Sequence, residues 1–231
     1  MSWDAPLTHS LRLSSFQKCI RISRWQPDIK VEVRLPFCEC EPVIAFSFNV
    51  AKSIQAAKVL LELNGGDMDK YMFIKMLYLA DRESLKKWGE PITGDSAVSM
   101  RYGPVLSTIY DLTKGDCAMF HEQWSAFIFD ADEETNRVCL ARFPESPPSE
   151  LCRAEISILT SVFEMCKDWS WKKMRDYSHS LEEYDKSVGS GSKPIPMERI
   201  LKAVGKEESE IEELAELNRQ IRMAEMLFAE S

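Results

Sequence analysis

The sequence predicts a mainly α fold with a small β-hairpin (α+β), and three observations carry that expectation. Apolar residues recur at helical spacing through residues 50–61 and again through 71–88. The period drops to two only around residues 124–143, and Gly, Pro and Asn punctuate the chain between these stretches. The expected architecture is a compact helical domain built on an antiparallel helix pair, with short antiparallel strands beside it.

With 231 residues, 45% hydrophobic and 29% charged, the chain suits one core with appendages. No apolar run reaches the roughly 18 residues of a membrane span, and Met1-Ser-Trp-Asp4 lacks the basic and apolar regions of a secretory leader. A cytoplasmic protein with no membrane partner is the expectation. Seven cysteines without a CxxC pair argue for reduced, mostly buried thiols. Three dispersed histidines (9, 121 and 179) suggest no metal site, and nothing in the sequence suggests a cofactor. A net charge of −8 argues against a nucleic-acid partner bound through its phosphate backbone and fits a basic or amphipathic protein better.

In chain order, residues 1–44 form an extension to which the sequence assigns no role, apart from one alternating run, Ile29 to Leu35, that reads as a strand. The main domain is expected over residues 45–187. An N-cap at Ser47 to Asn49 opens a helix carrying Val50, Ile54, Ala57, Leu60 and Leu61, which stops at Asn64-Gly65-Gly66. Asp67 or Asp69 caps a second helix, Tyr71 to Trp88, and so short a link predicts an antiparallel pair.

That second helix should bury Phe73, Ile74, Leu77, Ala80, Ser84, Leu85 and Trp88, with Asp81 in the middle of the same face. A carboxylate on a core-facing stripe is costly unless another segment supplies a partner. Asp81 is therefore read as a buried hydrogen-bond hub that ties a loop to the helix, or as part of a partner or ligand site. Lys75, Arg82 and Lys86, on the adjoining flank, read as a solvated basic stripe.

Gly89 ends the helix, and Pro91 and Gly94 shape the following loop to Asp95. Ala97 to Tyr102 reads as extended, and Gly103-Pro104 as the opening of a further helix bearing Val105, Ile109 and Leu112. Trp124 to Phe129 and Arg137 to Phe143 read as a hairpin. Ser149 is the expected N-cap of a helix burying Ile156, Leu159, Val162, Phe163 and Cys166, and Ser170 caps the next, which leads to His179. Residues 188–195 read as a Gly/Ser linker. The acidic segment 196–231 holds a short helix and a longer one, whose narrow seam of Ile211, Leu214, Leu217, Ile221, Ala224 and Phe228 suits docking on its own domain or on a partner.

The central residues carry a family resemblance. Lys75-Met-Leu-Tyr78-Leu-Ala-Asp81-Arg82, then Trp88-Gly89-x-Pro91-Ile-Thr-Gly94-Asp95, then Tyr102-Gly103-Pro104-Val105, followed later by Tyr177-Ser178-His179, resemble the signature of the SocA-like antitoxin, or Panacea, domain, formerly a phage-associated protein family. The resemblance covers about residues 50–187, and departs from the family where Tyr184 stands for a tryptophan after the histidine. It implies an antitoxin that neutralises a cognate toxin by direct binding, with a protease as second partner in members that act as adaptors. It implies no catalysis, and it marks these motif residues as a structural core or partner-binding set. The rival readings from the residues are a hydrolase-like enzyme using Asp81, Asp95 and His179 in one cleft, and a nucleic-acid-binding regulator using the basic stripe with Lys87 and Arg101.

Overall fold

The computed structural model describes residues 22–23, 32–33, 44–130, 135–141 and 150–229. The chain divides into two units, Met1–Glu41 and Pro42–Ser231. In the first, strands β1 (Ile22–Ser23) and β2 (Glu32–Val33) pair antiparallel. The rest of the strand expected over Ile29 to Leu35 lies outside the described residues.

The second unit is mainly α with two three-stranded antiparallel sheets. Helix α1 (Val50–Leu63) starts at Asn49, whose side chain accepts from the Lys52 amide. Asp67–Asp69 is strand β3, and its last residue also caps α2 (Lys70–Trp88) by accepting from the Met72 amide. Gly89, in the left-handed region at φ 78°, ends α2. Both α1 and α2 pack on α5 (Arg153–Cys166).

Helix α2 is more deeply enclosed than an amphipathic surface helix. Every residue from Phe73 to Asp81 is buried, so for more than two turns no side of the helix faces water. The expected solvated stripe is therefore corrected: Lys75 is 1% exposed and Arg82 is held in an ion pair, which leaves Lys86 alone of the three in solvent. At the end of the helix Trp88 is 46% exposed and not part of the core.

Strands β4 (Ala97–Met100) and β5 (Gly103–Leu106) form a tight hairpin, and helix α3 (Ser107–Leu112) begins only afterwards. Gly103-Pro104 thus opens a strand, not a helix. Pro104 is tolerated there because β5 is an edge strand, where a missing N–H need not break a ladder.

The expected long strand at Trp124 is replaced by helix α4 (His121–Ser125) and the short strand β6 (Ile128–Asp130). Trp124 is drawn inward onto Phe73, with ring centroids 6.5 Å apart. Strand β7 (Arg137–Leu140) pairs with β6 as expected and also with β3, which makes a sheet of the hairpin.

Residue Ser149 lies outside the described residues. Helix α5 has Cys152 at its N-cap, with the Glu155 carboxylate accepting from the Cys152 amide, and it buries Ile158 while Ile156 lies at the surface. Helix α6 (Trp171–Ser180) is capped by Ser170 as expected. Among the described residues Cys166 is buried, Cys152 is exposed and Cys117 and Cys139 are half-buried.

Part of the expected linker is structured. Ser192–Ile195 is strand β8, paired with β4 on the side away from β5, and Ile195 is buried. The Gly/Ser composition that suggested a free linker thus conceals one anchoring apolar residue. Helices α7 (Met197–Ala203) and α8 (Glu208–Ala229) follow. Helix α8 docks through Ile211, Ala215 and Asn218, and the Asn218 amide bonds both the N–H and the C=O of Ala45. The expected seam splits, because Leu217 and Ile221 are exposed. No described helix is long and apolar enough to cross a membrane.

Candidate functional site

The motif residues assemble into three connected hydrogen-bond groups around α2. In the first, Asp81 faces the loop after the helix. One carboxylate oxygen accepts from the amides of Ile92 and Thr93, each at 3.0 Å, and the other accepts from the Thr93 hydroxyl. That hydroxyl in turn accepts from the Asp95 amide at 3.1 Å. The Asp95 carboxylate accepts from the amides of Thr108 and Ile109, at 3.1 and 2.9 Å, and so caps α3, whose own N-cap residue, Leu106, has no side chain able to do it.

Gly94 completes the loop at φ 70°, and a Cβ there would lie 2.2 Å from the Ser47 carbonyl oxygen. Only glycine lets the loop pass under the chain that enters α1, where the Asn49 amide donates to the Thr93 carbonyl at 2.8 Å. Asp81 therefore ties α2, the 91–95 loop, α3 and the start of α1 into one piece. Burial pushes its carboxyl up to about 7 even though the Thr93 and Ile92 donors favour the ionised form. Burial also raises Asp95.

The second group holds the β4–β5 turn. Three carbonyls of this turn accept from side chains of α2, α6 and the segment after α6. Arg101 O lies 3.2 Å from the His179 Nε2 and 3.3 Å from the Tyr184 hydroxyl. Tyr102 O accepts from the Tyr71 hydroxyl at 3.2 Å, and Pro104 O from the Lys75 amine at 2.7 Å.

His179 and Tyr184 stack nearly parallel, with centroids 4.7 Å apart, so the tyrosine packs on the histidine ring. Burial lowers the Lys75 amine to about 7 and also lowers His179. Gly103 lies at φ 100°, and a Cβ on it would lie 2.5 Å from the Ser178 Cβ and 3.1 Å from the Lys75 Nζ.

The third group was not legible as a site. Glu183 is wholly buried and accepts from the Tyr78 hydroxyl at 2.8 Å and the Arg82 Nε at 2.6 Å. Arg82 also reaches the Ala203 carbonyl on α7, at 3.4 Å. An acidic residue 101 positions after its arginine gives no local signal. The only hint is the unpaired charge of Arg82 on a helix otherwise bound for the core.

The geometry bears on whether a reaction can be housed here. Beside Asp81, Asp95, Pro91 and Tyr78 the remaining cavity is about 10 Å³, too small to admit a substrate. His179 lines a different, open cleft of about 600 Å³ with Arg101, Asp176, Tyr184 and Lys186. The expected alternative of one cleft shared by Asp81, Asp95 and His179 is therefore not what the fold builds. Among the described residues no three His, Cys, Asp or Glu side chains are grouped to hold a metal.

Two outcomes follow from this arrangement. Asp81→Ala strands two backbone amides and a hydroxyl in the core and should cost roughly 3–5 kcal/mol, lowering Tm by about 10 °C. A thermal melt within about 2 °C of wild type would show that Asp81 does not hold the loop.

The second outcome concerns pH. Asp81 is protonated more readily in the folded chain than in the unfolded one, so the proton-linked part of its effect is complete below pH 4 and is lost as pH rises toward 7, which leaves the loop hydrogen bonds as what Asp81→Ala removes at neutral pH. Lys75 is protonated less readily when folded, so its contribution grows as pH rises from about 7 toward 10.5. Wild type minus Lys75→Met stability, from urea titrations across pH 6–11, should therefore rise with pH, and a flat difference would contradict the buried amine.

The model of the family described as antitoxin SocA-like, Panacea domain, matches residues 73–184. No curated protein and no solved structure matches the chain. The matched span runs from Phe73 on α2 to Tyr184 and holds all three hydrogen-bond groups apart from Tyr71, the strut at Ser47 to Asn49 and the Ala203 carbonyl. Residues 73–184 are thus recognised as a SocA-like antitoxin, Panacea, domain.

Proposed function

We propose that this chain is the antitoxin of a toxin–antitoxin pair and neutralises a cognate toxin by direct protein–protein binding. The observation that supports this most is the use made of its buried polar groups. Asp81, Asp95, Glu183 and Lys75 are all engaged with donors or acceptors of the chain itself, and among the described residues no buried side-chain nitrogen or oxygen lacks a partner. Catalytic groups instead need an open position beside them for the reacting atom. A family of antitoxins and an interior spent on rigidity together favour a binding module.

A nucleic-acid-binding regulator is disfavoured by the same geometry. Of the five cations in its electrostatic footprint, Lys75 and Arg82 point inward to Pro104 and Glu183, which leaves Lys86, Lys87 and Arg101 exposed.

The test is co-expression with the open reading frame adjoining its gene. The reading expects growth arrest by the neighbour alone, relief when this chain is present, and co-purification of the two products. A persistent half-life of the neighbour during relief would mark occlusion, and a shortened one would mark handover to a protease. Arrest that persists with no co-purification, or a neighbour that neither arrests growth nor binds, would overturn the reading.

A further inference from the structure

We propose that the exposed rings of Tyr102 and Trp171, with the cations laid on them, are the surface that grips the protein partner, through an acidic segment of that partner; this rests on the antitoxin reading above. The two rings come from distant parts of the chain, the β4–β5 turn and the first residue of α6, and meet edge to face with centroids 5.5 Å apart. Tyr102 is 43% and Trp171 44% exposed. Tyr71, half-buried, backs Trp171 at 5.6 Å and fixes the turn through its bond to the Tyr102 carbonyl. A pre-ordered pair of large rings with polar edges can bury much area with little loss of side-chain entropy, and tyrosine, tryptophan and arginine are the residues in which binding energy concentrates.

The charge on this surface identifies the occupant. The Arg101 guanidinium lies 5.3 Å from the Tyr102 ring centre, and that of Arg175 lies 5.0 Å from Trp171. Arg175 is paired with Asp176 at 2.7 Å, and Lys172 also acts on that carboxylate, but among the described residues Arg101 is in no ion pair. Net charge alone favours a basic partner, yet it is unevenly spread. From Glu207 to Ser231 there are eight carboxylates and two arginines, so six of the eight net negative charges lie in that terminal stretch and the rest of the chain is nearly neutral.

The ring surface is thus a local positive patch, suited to carboxylates flanking an apolar residue. A nucleic acid is the weaker fit, because a strand of phosphates needs a longer basic track than Arg101, Lys172 and Arg175 supply with Asp176 among them.

The test uses the full-length chain and the purified product of the adjoining reading frame, with affinity read by calorimetry and neutralisation by growth. Tyr102→Ala combined with Trp171→Ala should weaken binding at least about tenfold, and Arg101→Glu should do so in a salt-dependent way. Leu217→Ala combined with Ile221→Ala on α8 should stay within about threefold of wild type. Thermal melts of all variants keep loss of fold apart from loss of contact, since both rings are on the surface.

Three outcomes would overturn the assignment. If wild type neutralises and the ring and Arg101 variants bind equally well, this surface is not the grip while the antitoxin reading stands. If an oligonucleotide of about 20 residues binds at physiological salt and is lost in the same variants, the occupant is a nucleic acid. If wild type itself fails to bind, the antitoxin reading falls and this assignment with it.

Discussion

One carboxylate in the middle of a buried helix sets the geometry of this domain. Asp81 accepts from two successive amides and a hydroxyl of the loop that leaves its own helix. That fixes a turn which would otherwise run over the surface with its polar backbone solvated. Because Thr93 passes the connection to Asp95, and Asp95 caps α3, the constraint extends past the loop. Because Gly94 brings the loop against Ser47, it also reaches the entry to α1. Burying an acid is costly, and Asp81 with its cluster returns that cost by satisfying backbone donors that no regular element could satisfy.

The same device recurs at the β4–β5 turn with the polarity reversed. Here the backbone offers acceptors, the carbonyls of Arg101, Tyr102 and Pro104, and the side chains of Lys75, Tyr71, His179 and Tyr184 meet them. A proline and a glycine in the turn make this necessary. Gly103 permits the close approach of α6 at Ser178, and Pro104 removes a donor from the edge strand. Loop and turn, the two irregular segments of the motif, are both pinned to α2, and the ring pair of Tyr102 and Trp171 stands on the outside of the second.

Much of this was legible in the sequence, for identifiable reasons. The bounds of α1 and α2, the role of Gly89, and the need of Asp81 for a partner follow from local spacing and from the cost of burying charge. The partner of Arg82 was not legible, since Glu183 is brought to it only by the tertiary fold. Lys75 misled for a related reason: spacing places it beside Arg82 on one flank, but it cannot tell that α6 and β5 cover that flank. Pro104 read as a helix start because proline suits both a first helical turn and an edge strand, and only the pairing of Ser99 with Pro104 decides between them. Strand β8 was hidden in a Gly/Ser-rich stretch in which one buried residue, Ile195, outweighs the composition.

The buried polar side chains of the described domain are all engaged with partners within the chain itself. The central claim is that the 91–95 loop is a structural member and not a mobile flap, and amide hydrogen exchange tests it most directly. The amides of Ile92 and Thr93, donors to Asp81, should exchange as slowly as those in the middle of α2, through opening of the whole domain. Exchange of these two amides at rates typical of a solvated loop, while α2 stays protected, would contradict the account.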